Sequence, residues 1–306
     1  MNSASEILPL LQLERPTVSV EFYPPKTEEG ARQMLETAEA LKPYGIDFAS
    51  ITYGAGGSTR ERTIDYGSQL GQLGYRVMPH LTCVGHSRTE LRSILERFRD
   101  AGFRAIMTLR GDPPKGQTTF TPHPDGLAHA SELVKFIRDE TGNHFTLGVA
   151  GYPEKHPESP DSESDLQWLA HKVKQGADFV TTQLFFDNAD YFQFLERCRS
   201  VGITVPVVPG IMPPLSLAQA KKFQTFAGAR LPAELEARLS ACERDEAASQ
   251  AAGVDWAFEQ IQGLLQGGAP GFHLYILNRS ESALALLERL RGLFPAQKLE
   301  STKQTG

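Results

Sequence analysis

The run RVMPHLTCVGHSRTELRSILERFRDAGFRAIMTL, residues 76–109, holds one full cycle of the pattern that decides the fold. It opens on a short apolar stretch, 76–82. Leu91, Ile94, Leu95 and Phe98 then recur at spacings of three and four, the single buried stripe of an amphipathic helix. Gly102 follows, where a helix C-cap commonly needs positive φ, and 104–109 is a second apolar run. Strand, helix and strand in that order predict two parallel strands joined by a crossover helix.

The same cycle repeats outward in both directions. Strand-like runs fall at 17–22, 46–52, 76–82, 104–109, 145–151, 178–183, 205–210 and 271–277, eight in all. Helical stripes lie between them, such as Leu166, Leu169, Ala170 and Val173, and Gly45, Gly74, Gly176 and Gly202 punctuate the helix ends as Gly102 does. Eight β/α units without a composition break predict a (β/α)₈ TIM barrel in preference to an open doubly wound sheet. The segment 227–270 is too long for a simple connection and carries a stripe of its own at Trp256, Gln260, Ile261 and Leu264, so extra helices are expected before the eighth strand. Residues 1–294 read as one domain, and the polar residues 295–306 as a disordered tail.

Composition narrows the function. The 306 residues are 40% hydrophobic and 22% charged, enough apolar surface for a sizeable core. A net charge of −6 gives no electrostatic reason to expect nucleic acid or an anionic membrane as partner, so small molecules are expected instead. Cys83, Cys198 and Cys242 lie far apart and suggest neither a disulfide framework nor a zinc site; with no leader-like or spanning apolar segment, this predicts a cytoplasmic protein. Walker A, nucleophile-elbow and H-E-x-x-H patterns are missing. The run Gly54 to Ser58 opens a helix after a strand, but the third glycine of a dinucleotide fingerprint would fall on Thr59; an anion-binding helix start and a tight turn both explain it.

In a barrel, catalytic groups come from the carboxyl ends of the strands. Glu21 ends the first strand, Thr52 and Tyr53 the second; His80 lies near the end of the third, and Arg110 and Asp112 follow the fourth. Tyr152 and His156 follow the fifth, Gln183 closes the sixth, and Asn278 and Arg279 follow the eighth. Singly, each of these has an ordinary structural explanation as a capping, packing or ion-pair residue. Together they predict one mixed-charge pocket on one rim.

Several longer motifs accompany this rim: V-E-F-Y-P-P-K from Val20, I-T-Y-G-A-G-G-S-T-R from Ile51, P-H-L-T-C from Pro79 and L-R-G-D-P-P from Leu109. G-Y-P-E-K-H-P-E from Gly151, T-Q-L-F-F-D from Thr182, V-P-G-I-M-P from Val208 and L-N-R from Leu277 continue the series. In order and over almost the whole chain, they resemble methylenetetrahydrofolate reductase, in its short bacterial, barrel-only form. The resemblance implies non-covalent FAD, NADH or NADPH as hydride donor, and ping-pong reduction of 5,10-methylenetetrahydrofolate to 5-methyltetrahydrofolate, the methyl supply for methionine synthesis. A homo-oligomer is also expected.

The resemblance further assigns residues. Glu21 matches the general acid that protonates N10, a role expected to need a pKa raised by desolvation. Asp112 matches a carboxylate facing both pterin and flavin, while Gln183, Gln219, Phe223 and Arg279 match folate-binding positions; Phe223 has helical spacing that equally fits plain core. FAD positions are Thr52, Tyr53, His80, Arg110, Gly111, Asp112, Ala130, Tyr152, His156, Asp165 and Lys172. Asp165 and Lys172, seven apart on a helix, share a face and suit ribose and phosphate, with a solvated ion-pair face as the alternative. His129, Trp168 and His171 depart from the Tyr, Asn and Arg of better-known bacterial members, toward the adenosine half of FAD. Two other functions remain compatible with the sequence: a flavoprotein of the same fold fed electrons by a partner protein, and a non-catalytic folate- or flavin-binding barrel.

Overall fold

The computed structural model describes residues 7–53, 60–113, 120–278 and 280–293. Gly54 to Thr59, Arg279 and the tail from 295 lie outside the described residues. Strands β1 (Thr17–Phe22), β2 (Phe48–Ile51), β3 (Val77–Thr82), β4 (Ala105–Leu109), β5 (Thr146–Gly151) and β6 (Phe179–Thr182) pair in sequence, all parallel. β7 (Val207–Val208) pairs with β6, β8 (Gly210–Ile211) with β9 (Gly271–Tyr275), and β9 with β1. The ring is thus a nearly closed parallel barrel.

Nine strands stand where the sequence predicts eight, because the seventh is divided at Pro209. Proline has no N–H for the ladder, so regular pairing lapses there. The carbonyl of Pro209 still accepts from the His273 N–H at 2.9 Å, which keeps β7 and β8 on one line.

Helices α1 (Glu28–Leu41), α2 (Arg60–Gln72), α3 (Arg88–Asp100), α4 (Ala130–Thr141), α5 (Ser162–Lys174) and α6 (Asn188–Ser200) follow the first six strands. α7 (Leu217–Ala227) follows β8, and α10 (Ser280–Leu290) follows β9. The extra helices expected before the last strand are α8 (Ala233–Ala241) and α9 (Glu246–Gln266). Local chemistry sets their limits: at α3 the Ser87 Oγ accepts from the Glu90 N–H, and the Glu90 carboxylate accepts from the Ser87 N–H, a reciprocal capping box. Gly45, Gly74, Gly102, Gly176 and Gly202 all adopt the positive φ expected of them. No helix among the described residues is long and apolar enough to cross a membrane.

The main core lies between strands and helices, where Val18, Val20 and Phe22 of β1 meet the stripes of the outer helices. Alternate residues point into the barrel and build layers. Phe48, Met78, Ala105, Met107, Phe179 and Val208 fill the lumen, with Ile7 and Leu11 packed against them. The 3₁₀ turn Leu8–Gln12 carries Leu11 and is tied to β1 by the Thr17 hydroxyl, which donates to the Leu10 carbonyl at 2.7 Å. The amino-terminal segment therefore serves as an apolar plug. Polar groups at this amino end hold strands: Asp47 accepts from the Val18 N–H and pairs with Arg15, and Asp178 accepts from the Leu147 N–H and pairs with Arg138.

Leu11→Ala removes the deepest part of that plug and is expected to cost about 2–4 kcal/mol. Chemical denaturation checks this: a loss below 1 kcal/mol would mean that the turn lies loosely on the barrel.

Candidate active site

Above the apolar layers the lumen turns polar, because the inward positions of β1 and β9 carry Ser19, Glu21, His273 and Tyr275. The His273 ring, only 1% exposed, has Nδ1 at 2.8 Å from Ser19 Oγ and Nε2 at 3.2 Å from Ser50 Oγ. It lies parallel to Phe48, with ring centroids 6.1 Å apart and an interplanar angle of 16°. Glu21 sits over this imidazole: its Oε2 is 3.7 Å from His273 Nε2, 3.3 Å from His80 Nε2, and accepts from Ser50 Oγ at 3.4 Å. His80 Nε2 is buried and, despite its proximity, closes no hydrogen bond with the carboxylate.

These partners overturn the expected upward pKa shift of Glu21. Burial does push the carboxyl up, and it is the largest single effect. The imidazole of His273, then that of His80, lies close enough to favour the charged form, and together they outweigh burial and hold the group at about 2. Glu21 is therefore an anion at neutral pH, set beside two imidazoles.

On one side of Glu21 the loops after β4 and β5 gather most of the predicted flavin positions. Arg110 makes a bidentate pair with Glu158 at 2.5 and 2.8 Å, and its guanidinium lies 5.1 Å from the Phe120 ring centroid. Tyr152 meets His156 edge to face with centroids 4.6 Å apart, and burial, reinforced by Asp112 and Asp165, raises its phenol to about 12. Burial lowers His156. Asp165 accepts from the His156 N–H and from Ser159 Oγ, both at 3.1 Å, so it braces this loop. Lys172 is no solvated ion-pair partner: its ammonium donates to the Ala150 carbonyl at 2.5 Å, and burial, opposed by Asp165, lowers it to about 8.

Tyr53 is buried with its hydroxyl 3.1 Å from His86 Nε2, and Thr52 and Ala130 are half-buried, Ala130 as the first residue of α4. Asp112 is exposed but near enough for its charge to act on Arg110 and Tyr152. Gly111 has φ +89°, and a Cβ there would come within 2.6 Å of Val84 Cγ1, so only glycine lets the backbone run this close. The nearby Thr82 hydroxyl is buried without a hydrogen-bond partner. His129, Trp168 and His171, the three departures, come together: His129 and Trp168 stack with centroids 5.8 Å apart, and His171 meets the indole edge to face at 6.0 Å.

Across from this loop group, a cleft of about 370 Å³ opens between the ends of β1, β8 and β9, lined by Tyr23, Met212, Leu215, Gln219, Tyr275 and Leu277. Gln219 reaches it while capping α7, its Oε1 accepting from the Leu215 N–H at 2.7 Å. Gln183 Oε1 accepts from the adjacent Leu184 N–H. Phe223 is half-buried against the cluster of Leu184, Phe186 and Met212. Tyr275 joins the two halves, donating to the Thr182 carbonyl at 2.7 Å with the charge of Glu21 acting on its phenol. Asn278 exchanges two hydrogen bonds with the backbone of Tyr23, at 3.0 and 2.8 Å; it and Leu277 have positive φ, which asparagine tolerates and leucine rarely adopts.

Ser19, Ser50, His273 and Tyr275 escape the rim reading because they lie inside strands. Their signal is the two-residue alternation T-V-S-V-E-F, which puts Ser19 on the same face as Glu21.

A parallel barrel whose carboxyl rim gathers a half-buried acid, imidazoles and phosphate-compatible cations is an enzyme scaffold. The profile of the family described as methylenetetrahydrofolate reductase matches residues 7–291. A Salmonella typhimurium 5,10-methylenetetrahydrofolate reductase is 35% identical, with 89% of this chain and 90% of that protein aligned. Arabidopsis thaliana methylenetetrahydrofolate reductase (NADH) 1 is 39% identical over 92% of this chain and 49% of its own length; the chain spans about half of such plant relatives. The fold is shared with an uncharacterized Clostridium thermocellum protein that binds two copies of 5-methyl-5,6,7,8-tetrahydrofolic acid, at TM-score 0.65, 19% identity and coverage of 93% and 98%. The chain belongs to the methylenetetrahydrofolate reductase family.

Glu154, in the loop after β5, accepts from the Arg230 N–H, while the Arg230 side chain pairs with Asp187 and Asp190. Burial raises its carboxyl to about 7. A raised acid adds stability that is full below its unfolded pKa and lost as pH climbs through the folded value. Glu154→Gln should thus melt with the parent at pH 4 and roughly 2–4 °C above it at pH 8. Equal melting temperatures at pH 8 would show that the carboxylate is not strained there.

Proposed function

We propose that this chain reduces 5,10-methylenetetrahydrofolate to 5-methyltetrahydrofolate with NADH or NADPH as donor and FAD as bound cofactor. The observation that carries this is Glu21, ionised and half-buried beside two imidazoles at the carboxyl end of β1, next to a cleft lined by Gln219 and Tyr275. The rim also suits FAD. Arg110 and Lys172 are cations for a diphosphate, Gly111 admits close backbone approach, His80 lies at the rim beside Glu21, and the unpaired Thr82 hydroxyl is a polar atom that a ligand can satisfy. Thr52, Tyr53, Arg110, Asp112, Ala130, Tyr152, His156, Asp165 and Lys172 complete the set that would hold it. Bound FAD supplies the hydride chemistry between nicotinamide and folate.

The chain's own work follows from the substrate. The bridging methylene becomes a hydride acceptor only after the ring opens to a 5-iminium cation, and opening needs a proton at N10. Glu21 at about 2 does not store that proton alone. It acts beside His80 and His273, whose rings hold the carboxylate in place, relays a proton toward N10 and then, as the anion, faces the iminium charge. Ser19 and Ser50 fix the His273 ring. Asp112 can accept two N–H bonds from the pterin edge, and Gln183 and Gln219 supply amides to the folate, with Arg279 proposed for its remainder.

Glu21→Gln should retain NAD(P)H oxidation with an artificial acceptor and lose folate reduction by about 10²-fold or more. Full folate turnover in that variant refutes the proposal. The cofactor has its own test. Lys172 carries its charge below about 8, so FAD affinity of the apoprotein, followed by flavin fluorescence, should weaken as pH rises past 8. Lys172→Met should bind weakly with a flat profile, and a flat profile in the parent would remove Lys172 from the diphosphate.

A further inference from the structure

The one large aromatic side chain on the outer half of α5 stands in a defined pose. Trp168 is 56% exposed, yet its ring is not free: it lies nearly parallel to His129, at 21° and 5.8 Å between centroids, and the His171 ring closes on its edge at 80°. A lone exposed tryptophan needs no explanation, but one oriented by two neighbours is a flat surface whose ordering cost is already met before anything binds.

Its place on the helix gives that surface an occupant. Residues 165, 168 and 172 fall at spacings of three and four, so Asp165, Trp168 and Lys172 form one stripe, alongside the buried stripe of Leu166 and Leu169. The stripe runs from a carboxylate, through a π face, to an ammonium that reaches the end of β5 at Ala150. Hydroxyls, a planar base and a phosphate are the chemistry that these three groups match, and a nucleotide presents all three. Asp165 and Lys172 interact electrostatically, so the stripe is short enough for one such molecule.

Resting on the flavin reading above, we propose that the Trp168 indole, backed by His129, is the stacking surface for the adenine of FAD, and that it makes this chain select the dinucleotide over FMN. Stacking grips a base by its face and leaves the edge unread. Affinity for the adenine half then depends on ring area, whereas the isoalloxazine end is held by other residues.

The test uses the full-length apoprotein and compares FAD with FMN by flavin fluorescence and calorimetry. Trp168→Ala is expected to lose about 10- to 100-fold in FAD affinity with FMN affinity unchanged, and Trp168→Phe to stay within about threefold of the parent. In parallel, 5′-AMP should quench the tryptophan fluorescence of the parent and not of Trp168→Phe, in which only Trp256 emits. The exposure of Trp168 means that the variants should fold, which circular dichroism verifies. Equal losses for FAD and FMN, or no loss for either, overturn the stacking role while the flavin reading stands. Failure of the parent to bind either flavin overturns both.

Discussion

A half-buried carboxylate held beside two imidazoles is the constraint around which this barrel is arranged. Burial alone would neutralise Glu21; the rings of His80 and His273 keep it charged instead. Such an arrangement is stable only while every member keeps its partner, since removing one partner of a buried charge commonly costs about 3–5 kcal/mol. Hence the further supports: Ser19 and Ser50 occupy the two nitrogens of His273, Phe48 lies flat against its ring, and the apolar layers beneath, closed by Ile7 and Leu11, keep water from entering below.

From that centre the rim divides its tasks. Strands β4 and β5 deliver cations, phenol and imidazole on loops braced by Asp165 and Glu158, a surface suited to a long anionic ligand. Strands β8 and β9 border a smaller cleft with amide and aromatic walls. Tyr275 touches both regions through its bond to the Thr182 carbonyl and its nearness to Glu21. Gly210 makes room for that phenol, since a Cβ there would lie 2.6 Å from the tyrosine ring and 2.3 Å from the Thr182 carbonyl.

Local features were legible in the sequence. The helical stripes, the five glycines at helix ends and the strand cores all depend on neighbours a few residues away, and the structure places them as read. The interruption at Pro209 was visible as a residue but not as a break, because its effect depends on which strand lies beside it. Glu21 and His80 could be found from strand ends, but not the sign of the Glu21 pKa shift, which is set by His273 on a strand at the far end of the chain. The stacking of Trp168 on His129 likewise joins α5 to the start of α4, and neither residue announces the other.

Ser19 and His273, which meet at 2.8 Å, are separated by 254 positions. The cluster of Ser19, Glu21 and His273 is thus stitched across the seam where the first strand meets the last, and no fragment lacking either end can contain it. Contacts of such long sequence separation form late and slowly. An assembled Glu21 cluster in this chain is therefore a signature of completed ring closure: a nascent or clipped polypeptide that folds much of its wall still lacks the cluster until the two ends of the chain have met.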